Sequence, residues 1–466
     1  LPSENELGAL LAPESFTDLV SRIEGKMRSI GVGLIGWGTV GSGVIEVLRE
    51  NADAIESRLG VPLRLLHVAD RDLDRERPVR VDASLLTTRL EDVLEDPHVH
   101  IVIELMGGLG AAKDVIVRAL DSGKYVVTAN KALLAHEGND LFQTAVRNDR
   151  AIGFEAAVAG GIPLIKSLRE GLAGNRIKTI FGILNGTANY ILTRMTEAKL
   201  SFEAALKEAQ GLGYAEADPA LDVEGIDTAH KLAIAAALSF GTPIQFEQVY
   251  TEGITRIDPL DVRYGEEFGY QLKLLAIARN TDGRIEMRVH PTLIPHHHVL
   301  ASVKGAYNAV HIQGNAVGNI MLYGMGAGMM PTGSAVVSDL IDIARDILGN
   351  TPRRIPSLAF QPARLKPLPI KPIEDISTCY YFRFSAVDSP GVLSKISGIL
   401  GENRISIASV IQKGRHEEAS VPIVMLTHEA VESHVRRALA EIDRLDVVTS
   451  RTQVIRIENQ ETNDFF

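Results

Sequence analysis

The sequence predicts an α/β chain of three units: a doubly wound parallel sheet, a mixed α+β unit, and a small C-terminal β-α-β-β-α-β unit. Three observations carry this. From Ser29 to about Gly160, short apolar runs alternate with helical stretches, the spacing of a parallel sheet with crossover helices. From Pro163 to Ser302, long helical stretches alternate with strands. Residues Thr351 to Asp375 carry six prolines and little periodicity, as a linker does, and the pattern then begins again.

In order, Ile30–Gly36 reads as a buried strand, and Gly36–Asn51 turns from glycines into a helix. The strand Leu63–Asp70 follows, then a charged stretch, Arg71–Pro78. A helix near Leu90–Asp96, the strand His100–Gly107, a helix at Ala112–Gly123 and the strand Tyr125–Asn130 continue the alternation, which runs to Ala151–Val158. Right-handed crossovers place every strand's C-terminal end on one edge of the sheet. The second unit has helices at Ile162–Ala173, Tyr190–Ala198, Ser201–Gln210 and Thr228–Phe240, with strands at Lys178–Asn185 and Ile285–Ile294. A glycine-rich turn then feeds a long amphipathic helix ending at Leu348. After the linker come strand Tyr380–Asp388, helix Pro390–Arg404, strands Ile405–Gly414 and Ala419–Glu429, helix Ala430–Asp443 and strand Val447–Glu458. That order is ferredoxin-like. The expected boundaries are 29–160, completed by 324–350, for the nucleotide-binding unit; 161–323 for a catalytic and dimerisation unit; 351–375 for the linker; and 376–458 for the last unit.

Composition narrows the function. With 48 Lys and Arg against 59 Asp and Glu, the net charge of −11 argues against a general nucleic-acid surface. No apolar run approaches the ~20 residues of a membrane span. The single cysteine, Cys379, excludes an internal disulfide framework and a multi-Cys metal site and fits a reducing compartment. A cytoplasmic protein is expected. Residues 1–26 lack the apolar core of a signal peptide and are set aside from the fold.

Gly36-Trp37-Gly38-Thr39-Val40-Gly41 follows a strand and opens a helix, the context a dinucleotide fingerprint requires. Gly36 permits the turn, Gly38 lets backbone approach a pyrophosphate, and Gly41 lets helix and strand pack closely, as in a Rossmann-type sheet. At the end of the second strand, Asp70 suits a free ribose hydroxyl, whereas Arg71, with Arg75 and Arg77 nearby, suits a 2′-phosphate. NADP is favoured, with NAD possible. Lys131, after Thr128-Ala129-Asn130, stands at the ligand edge, where it can reach a phosphate, a nicotinamide or a substrate oxygen, or simply begin a helix in solvent.

The small-residue run from Glu155 to Pro163 reads first as a hinge; its carbonyls plus one carboxylate would also suit a hard cation. His296, His297 and His298 read as surface loop. The stretch Ala209–Lys231 sets Glu216, Asp218, Asp222, Glu224 and Asp227 ahead of Lys231, with Asp227 and Lys231 i, i+4 on one helix face. Ordinary surface helices carry such pairs too.

The pattern A-x3-G-Y-A-E-x-D-P-x2-D-V-x-G-x-D-x3-K in that stretch resembles the homoserine dehydrogenase signature. GWGTVG, VTANKA, EAAVAGGIP, ILNGTANYIL and YGMGAGMMPTGSAVVSDL match the family in the same order, over about Ile30 to Leu348. The resemblance implies NAD(P)H-dependent, reversible reduction of L-aspartate 4-semialdehyde to L-homoserine. It makes Lys231 the proton donor and Glu216 a substrate ligand, with Asp222 and Asp227 completing the polar site and Lys131 meeting cofactor and substrate. It gives Glu155 with the carbonyls of Val158, Gly160 and Ile162 to a sodium ion, and closes Gly324–Gly328, with Gly326 and Gly328, over the cofactor. Trp37 stands where Phe or Leu is usual, and Met325 replaces a common proline; neither removes a functional side chain. Neighbouring carboxylates are expected to favour the charged form of Lys231.

The last unit resembles an ACT regulatory domain. Asp388-Ser389-Pro390-Gly391-Val392-Leu393 would be its ligand turn and L-threonine its effector; a dimerisation module without ligand is the alternative. Such units pair edge to edge, so a homodimer or homotetramer is expected. Two rival readings are a related oxidoreductase acting on another amino-acid aldehyde and an amino-acid sensor with an inactive dehydrogenase half.

Overall fold

The computed structural model describes residues 27–352, 354–413 and 420–459. Residues 1–26, set aside above, lie outside the described residues, as do Gly414 and Ala419, each at the end of an expected strand.

The first sheet is wholly parallel. Strands β1 (Ile30–Ile35), β2 (Leu63–Ala69), β3 (Leu86–Thr87), β4 (Ile101–Glu104), β5 (Tyr125–Thr128) and β6 (Ile152–Gly153) lie in the order β3-β2-β1-β4-β5-β6. β1 and β4 are buried along their whole length, which is why they read as unbroken apolar runs. The order reverses between β1 and β4, so a crevice opens there beyond the strand C-termini.

The helices that matter for the site are α1 (Thr39–Glu50), α2 (Gly110–Asp121), α3 (Lys131–Arg147), α4 (Gly186–Glu197), α5 (Ile226–Phe240) and α6 (Met329–Leu348). The first three start at the crevice edge after β1, β4 and β5. α6 returns from far along the chain to cross α1 at two glycines. A Cβ on Gly43 would lie 1.9 Å from the Met329 carbonyl oxygen, and one on Gly333 2.5 Å from the Gly43 carbonyl carbon.

The second sheet runs through both remaining units. Its strands are β7 (Ile177–Ile183), β8 (Tyr250–Thr251), β9 (Tyr270–Thr281), β10 (Arg284–Pro295), β11 (Tyr307–Gly314), β12 (Gly318–Met325), β13 (Ser377–Val387), β14 (Ile407–Gln412), β15 (Ser420–Thr427), β16 (Ala430–Val431) and β17 (Val448–Ile457). The main path is β12-β11-β7-β9-β10-β17-β13-β15-β14. Within it, β17-β13-β15-β14 with α7 (Val392–Glu402) and α8 (Glu432–Ile442) forms the ferredoxin-like unit.

That unit joins its neighbour where Thr292 and Leu293 of β10 pair in parallel with Arg456 and Ile457 of β17. Buried charges fasten the seam. Arg288 donates to Glu458, Arg456, held by Glu432 of its own unit, to Glu252, and Tyr381 and Arg383 both to Asp261. The linker is bound down as well: Ile285 donates to the Pro369 carbonyl, and Lys371 N–H to the Ile285 carbonyl.

Two local expectations are corrected. Ile162–Ala173 is not one helix but a short α turn, Leu164–Lys166, that widens into a π segment, Ser167–Gly171. The Leu172 N–H closes the wide turn on the Ser167 carbonyl; Gly171 and Gly174 lower the tendency to continue. His296 and His297 are exposed, but His298 is half-buried, its ring against Phe181 and His311. Among the described residues no helix is long and apolar enough to cross a membrane.

Candidate active site

The glycine turn after β1 has the shape a pyrophosphate needs. Gly36 takes φ +102°, and a Cβ there would lie 2.5 Å from the Leu105 carbonyl; a Cβ on Gly41 would lie 2.3 Å from the Gly36 oxygen. Beside Gly38 there is open space. Gly38 caps α1 without a side-chain hydrogen bond, so the helix presents free N–H groups to an anion. Thr39 is exposed and Val40 half-buried in this first turn.

At the end of β2, Asp70 and Arg77 are both engaged within the protein, and Arg77, its side chain 5% exposed, does not stand free for a phosphate as expected. Asp70 accepts the Trp37 N–H at 2.7 Å and pairs with Arg77 at 3.2 Å. Arg77 also donates to the Trp37 carbonyl at 2.6 Å and stacks over the indole at 4.3 Å. Both side chains brace the glycine turn. Arg71 and Arg75 are both exposed and form no ion pair among the described residues, and Arg71 stands nearer the strand end.

A polar relay organises the next two strand ends. The buried Glu104 carboxylate accepts the Met106 and Gly107 N–H groups and the Thr128 hydroxyl, and its burial raises its pKa. Thr128 Oγ1 accepts the Asn130 N–H, and Asn130 caps α3 at Leu133 while donating to the Gly108 carbonyl. This fixes the start of α3, where Lys131 stands.

Across the crevice, Gly225 in a left-handed conformation (φ +82°) begins α5. Asp227 and Lys231 are buried, 5% and 8% exposed, so the pair is not a surface one. Lys231 Nζ donates to Asp227 Oδ2 at 2.7 Å and to the Leu184 carbonyl at 2.7 Å. Lys131 Nζ lies 2.9 Å from Asp227 Oδ1. Asn185 bridges two acids, its amide donating to Asp222 Oδ1 at 2.6 Å and Asp227 Oδ2 at 2.9 Å. Its own Oδ1 caps α4 at Ala188.

Electrostatics divides these groups. Despite burial, the two lysines hold Asp227 well below the usual carboxylate range. Asp227 raises the pKa of Lys131. Lys231 goes the other way: burial lowers its pKa, with Asp227 opposing. The expectation that its carboxylate neighbours dominate is therefore corrected, because α5 removes the ammonium from water. Burial also raises Asp222. Glu216 is exposed, its carboxylate close enough to help hold the charge on Lys131.

Sequence reasoning passed over three members of this cluster. Asn185 sat inside a recognised motif, and a capping Asn before α4 was its signal. Glu104 ends a buried strand, where an acid stands out. His230 is buried beside His136 and Phe246, its pKa lowered to about 4 chiefly by burial; nothing in its spacing marked it.

The remaining residues lie around the cluster. The turn carrying Gly326 and Gly328 packs on the small-residue crossover: a Cβ on Gly160 would lie 2.2 Å from the Gly326 oxygen. Glu155 is buried and accepts the Ile165 and Lys166 N–H groups at 2.8 and 2.9 Å. Asp339 accepts the Glu155 N–H at 2.7 Å. Burial, with each acid near the other, lifts Glu155 to about 7, and burial lifts Asp339 to about 6. The Ile162 carbonyl accepts the Leu164 N–H. Lys166 and Arg169 bring positive charge toward this pair of acids.

In the last unit, Gly391 (φ +90°) opens α7 without a side-chain cap. Pro390, Gly391 and Leu393 are exposed, Val392 is buried, and Asp388 keeps one buried carboxylate oxygen with no partner among the described residues.

Residues 163–341 match the family described as homoserine dehydrogenase, residues 36–155 its NAD-binding domain, and residues 380–447 the ACT domain. The chain is 48% identical to a homoserine dehydrogenase of Neisseria gonorrhoeae over 433 residues, covering 93% of this chain and 99% of the relative. A crystal structure of a homoserine dehydrogenase from Thiobacillus denitrificans is similar with a TM-score of 0.87 at 48% identity, covering 93% of this chain and 99% of that one. A hyperthermophilic archaeal homoserine dehydrogenase in complex with NADPH is similar at 27% identity and a TM-score of 0.56, covering 67% and 97%.

Proposed function

The chain belongs to the homoserine dehydrogenase family of NAD(P)-dependent oxidoreductases, and we propose that it reduces L-aspartate 4-semialdehyde to L-homoserine with a preference for NADPH. The reaction would run reversibly, in the supply of threonine, methionine and isoleucine, in the cytoplasm. The observation that carries this reading is the Lys131–Asp227–Lys231 cluster, set where the nucleotide crevice meets the second unit.

The nicotinamide, when bound, supplies the hydride. Reduction leaves negative charge on the aldehyde oxygen, and a preplaced ammonium stabilises it. Lys231 Nζ holds the proton for that oxygen. Its lowered pKa makes it the readier acid, while Asp227 keeps it charged and aimed. Lys131, with its pKa raised, remains a fixed cation at the cofactor side. Asp222 and the exposed Glu216 give the substrate ammonium acidic partners, and Asn185 bridges Asp222 and Asp227. Gly36–Gly41, Arg71, Gly326 and Gly328 are assigned to the cofactor.

Glu155, Val158, Gly160 and Ile162 are assigned to a sodium ion. The C-terminal unit is assigned to feedback by L-threonine, with its exposed edge strand β14 pairing copies into a homodimer or homotetramer. The boundaries follow the sequence reading: 29–160 with 324–350, 161–323, and 376–458.

The test follows NADPH absorbance with L-aspartate 4-semialdehyde, and NADP+ with L-homoserine. Turnover in both directions is expected, faster with NADP(H) than NAD(H). No turnover with either substrate would overturn the assignment.

A further inference from the structure

A cleft of about 840 Å³ opens between the second unit and the C-terminal one, within the size range of small-molecule sites and at the kind of junction they favour. One wall is the segment Tyr250–Arg256; α8 and β17 form the other. The deep end is already satisfied. Arg456, 5% exposed, donates to both oxygens of Glu432 and to Glu252, with its guanidinium over the Tyr250 ring.

The rim is not satisfied. Arg256 and Arg451 line the cleft, are exposed, and form no ion pair among the described residues. Glu224, on the same lining, accepts the Thr255 hydroxyl at 3.1 Å and has no cationic partner among the described residues. Leu439 and Val454 supply an apolar side. Two guanidinium groups with no acidic partner, two carboxylates with no cationic one among the described residues (Glu224, and Asp443, which accepts only from Thr452) and a small apolar wall complement a zwitterion better than a simple anion or cation.

We infer that this interdomain cleft binds a free L-α-amino acid, its carboxylate on Arg256 and Arg451 and its ammonium toward Glu224. The inference rests on reading the chain as amino-acid-regulated, but it moves the effector away from the Asp388–Leu393 turn. The cleft wall is also the back of the active site. A Cβ on Gly253 would lie 2.4 Å from the Val223 oxygen, and the Ile254 N–H donates to that same oxygen at 2.8 Å. Glu224 precedes Gly225, the left-handed cap two residues before Asp227. A ligand that pulls on Glu224 or Thr255 therefore shifts the origin of α5, and with it Asp227 and Lys231.

The test screens the proteinogenic L-amino acids, one at a time, against the full chain by thermal shift and calorimetry. It repeats any hit with the double variant Arg256→Ala/Arg451→Ala and with Gly391→Asp in the C-terminal turn. One hit is expected to bind at least about tenfold more weakly to the double variant. Inhibition of homoserine oxidation should weaken in step, with uninhibited kcat retained. A hit that the double variant binds unchanged overturns the cleft as its site, and loss through Gly391→Asp alone assigns it to the turn. Absence of any hit overturns both the cleft and amino-acid regulation.

Discussion

Lys131, the first residue of α3, and Asp227, in the first turn of α5, meet at 2.9 Å across the crevice between the nucleotide sheet and the second unit. The opposite oxygen of the same carboxylate holds Lys231. One acid thus spaces two ammonium groups, one on each side of the place where cofactor and substrate converge. Replacing Asp227 by Asn leaves the two cations facing each other. Each lysine then loses a neighbour that raises its pKa. Reduction needs Lys231 protonated, so the alkaline limb of its pH–rate profile is expected to move to lower pH, with kcat down by about 10²-fold. An unmoved profile would remove Asp227 from the proton-donor assembly.

Lys231→Met keeps an unbranched chain in the same packing and removes the proton. Steady-state assays in both directions are expected to show kcat reduced about 10²–10⁴-fold, with the KM for NADP little changed. A kcat within a few-fold of the parent would exclude Lys231 as the acid.

Arg71 is the cation nearest the end of β2 whose charge is not engaged in the fold, since Arg77 and Asp70 brace Trp37. Arg71→Ala is expected to raise the KM for NADP about tenfold while leaving that for NAD nearly unchanged, as removal of a charge-assisted phosphate contact should. Equal effects on both cofactors would remove Arg71 from the discrimination.

Glu155 and Asp339 supply a pH dependence of stability. Their folded-state pKa values are raised, from 4.5 to about 7 and from 3.8 to about 6. A raised carboxyl binds its proton more tightly in the folded chain. Its contribution is therefore complete below the ordinary carboxylate range and is lost as pH rises through about 6 to 7. In thermal melts without sodium, Tm is expected to fall by a few degrees from pH 5 to pH 8. Asp339→Asn should flatten that slope, because its amide oxygen still accepts the Glu155 N–H. Sodium, compared with choline at equal ionic strength, should restore Tm at pH 8; identical melts in the two salts would count against the cation assignment.

Removal of the C-terminal unit after Leu365 is expected to cost stability, not merely regulation. It strips Glu458 from the buried Arg288, and Tyr381 and Arg383 from the buried Asp261. Breaking one such buried pair costs about 3–5 kcal/mol. A truncated chain that melts with the full-length one would show the seam to be dispensable. Regulation is accordingly better probed by point variants.

Much of the fold was legible because helix and strand periods are local. The alternation before Gly160, the glycine turn feeding α1, the break at the linker and the C-terminal element order all come from residues a few positions apart. Ile162–Ala173 misled because its apolar spacing suits a helix, whereas the crossover, the Glu155 cap and the glycines shape a wide turn. Arg77 misled because a cation near a strand end looks available until its stacking on Trp37 is seen.

The sequence by itself determined the kinds of element, the nucleotide turn and the i, i+4 placement of Asp227 and Lys231 on one helix face. Only the tertiary structure decided that this pair is buried, that Lys131 completes it and that Asn185 holds it. It also decided that burial, not the neighbouring acids, sets the direction of the Lys231 shift, and that the last unit is stitched into the central sheet through β10 and β17. Spacing along a chain determines which side chains share a face; how much water remains around them, and which distant charge stands opposite, depends on how the faces pack.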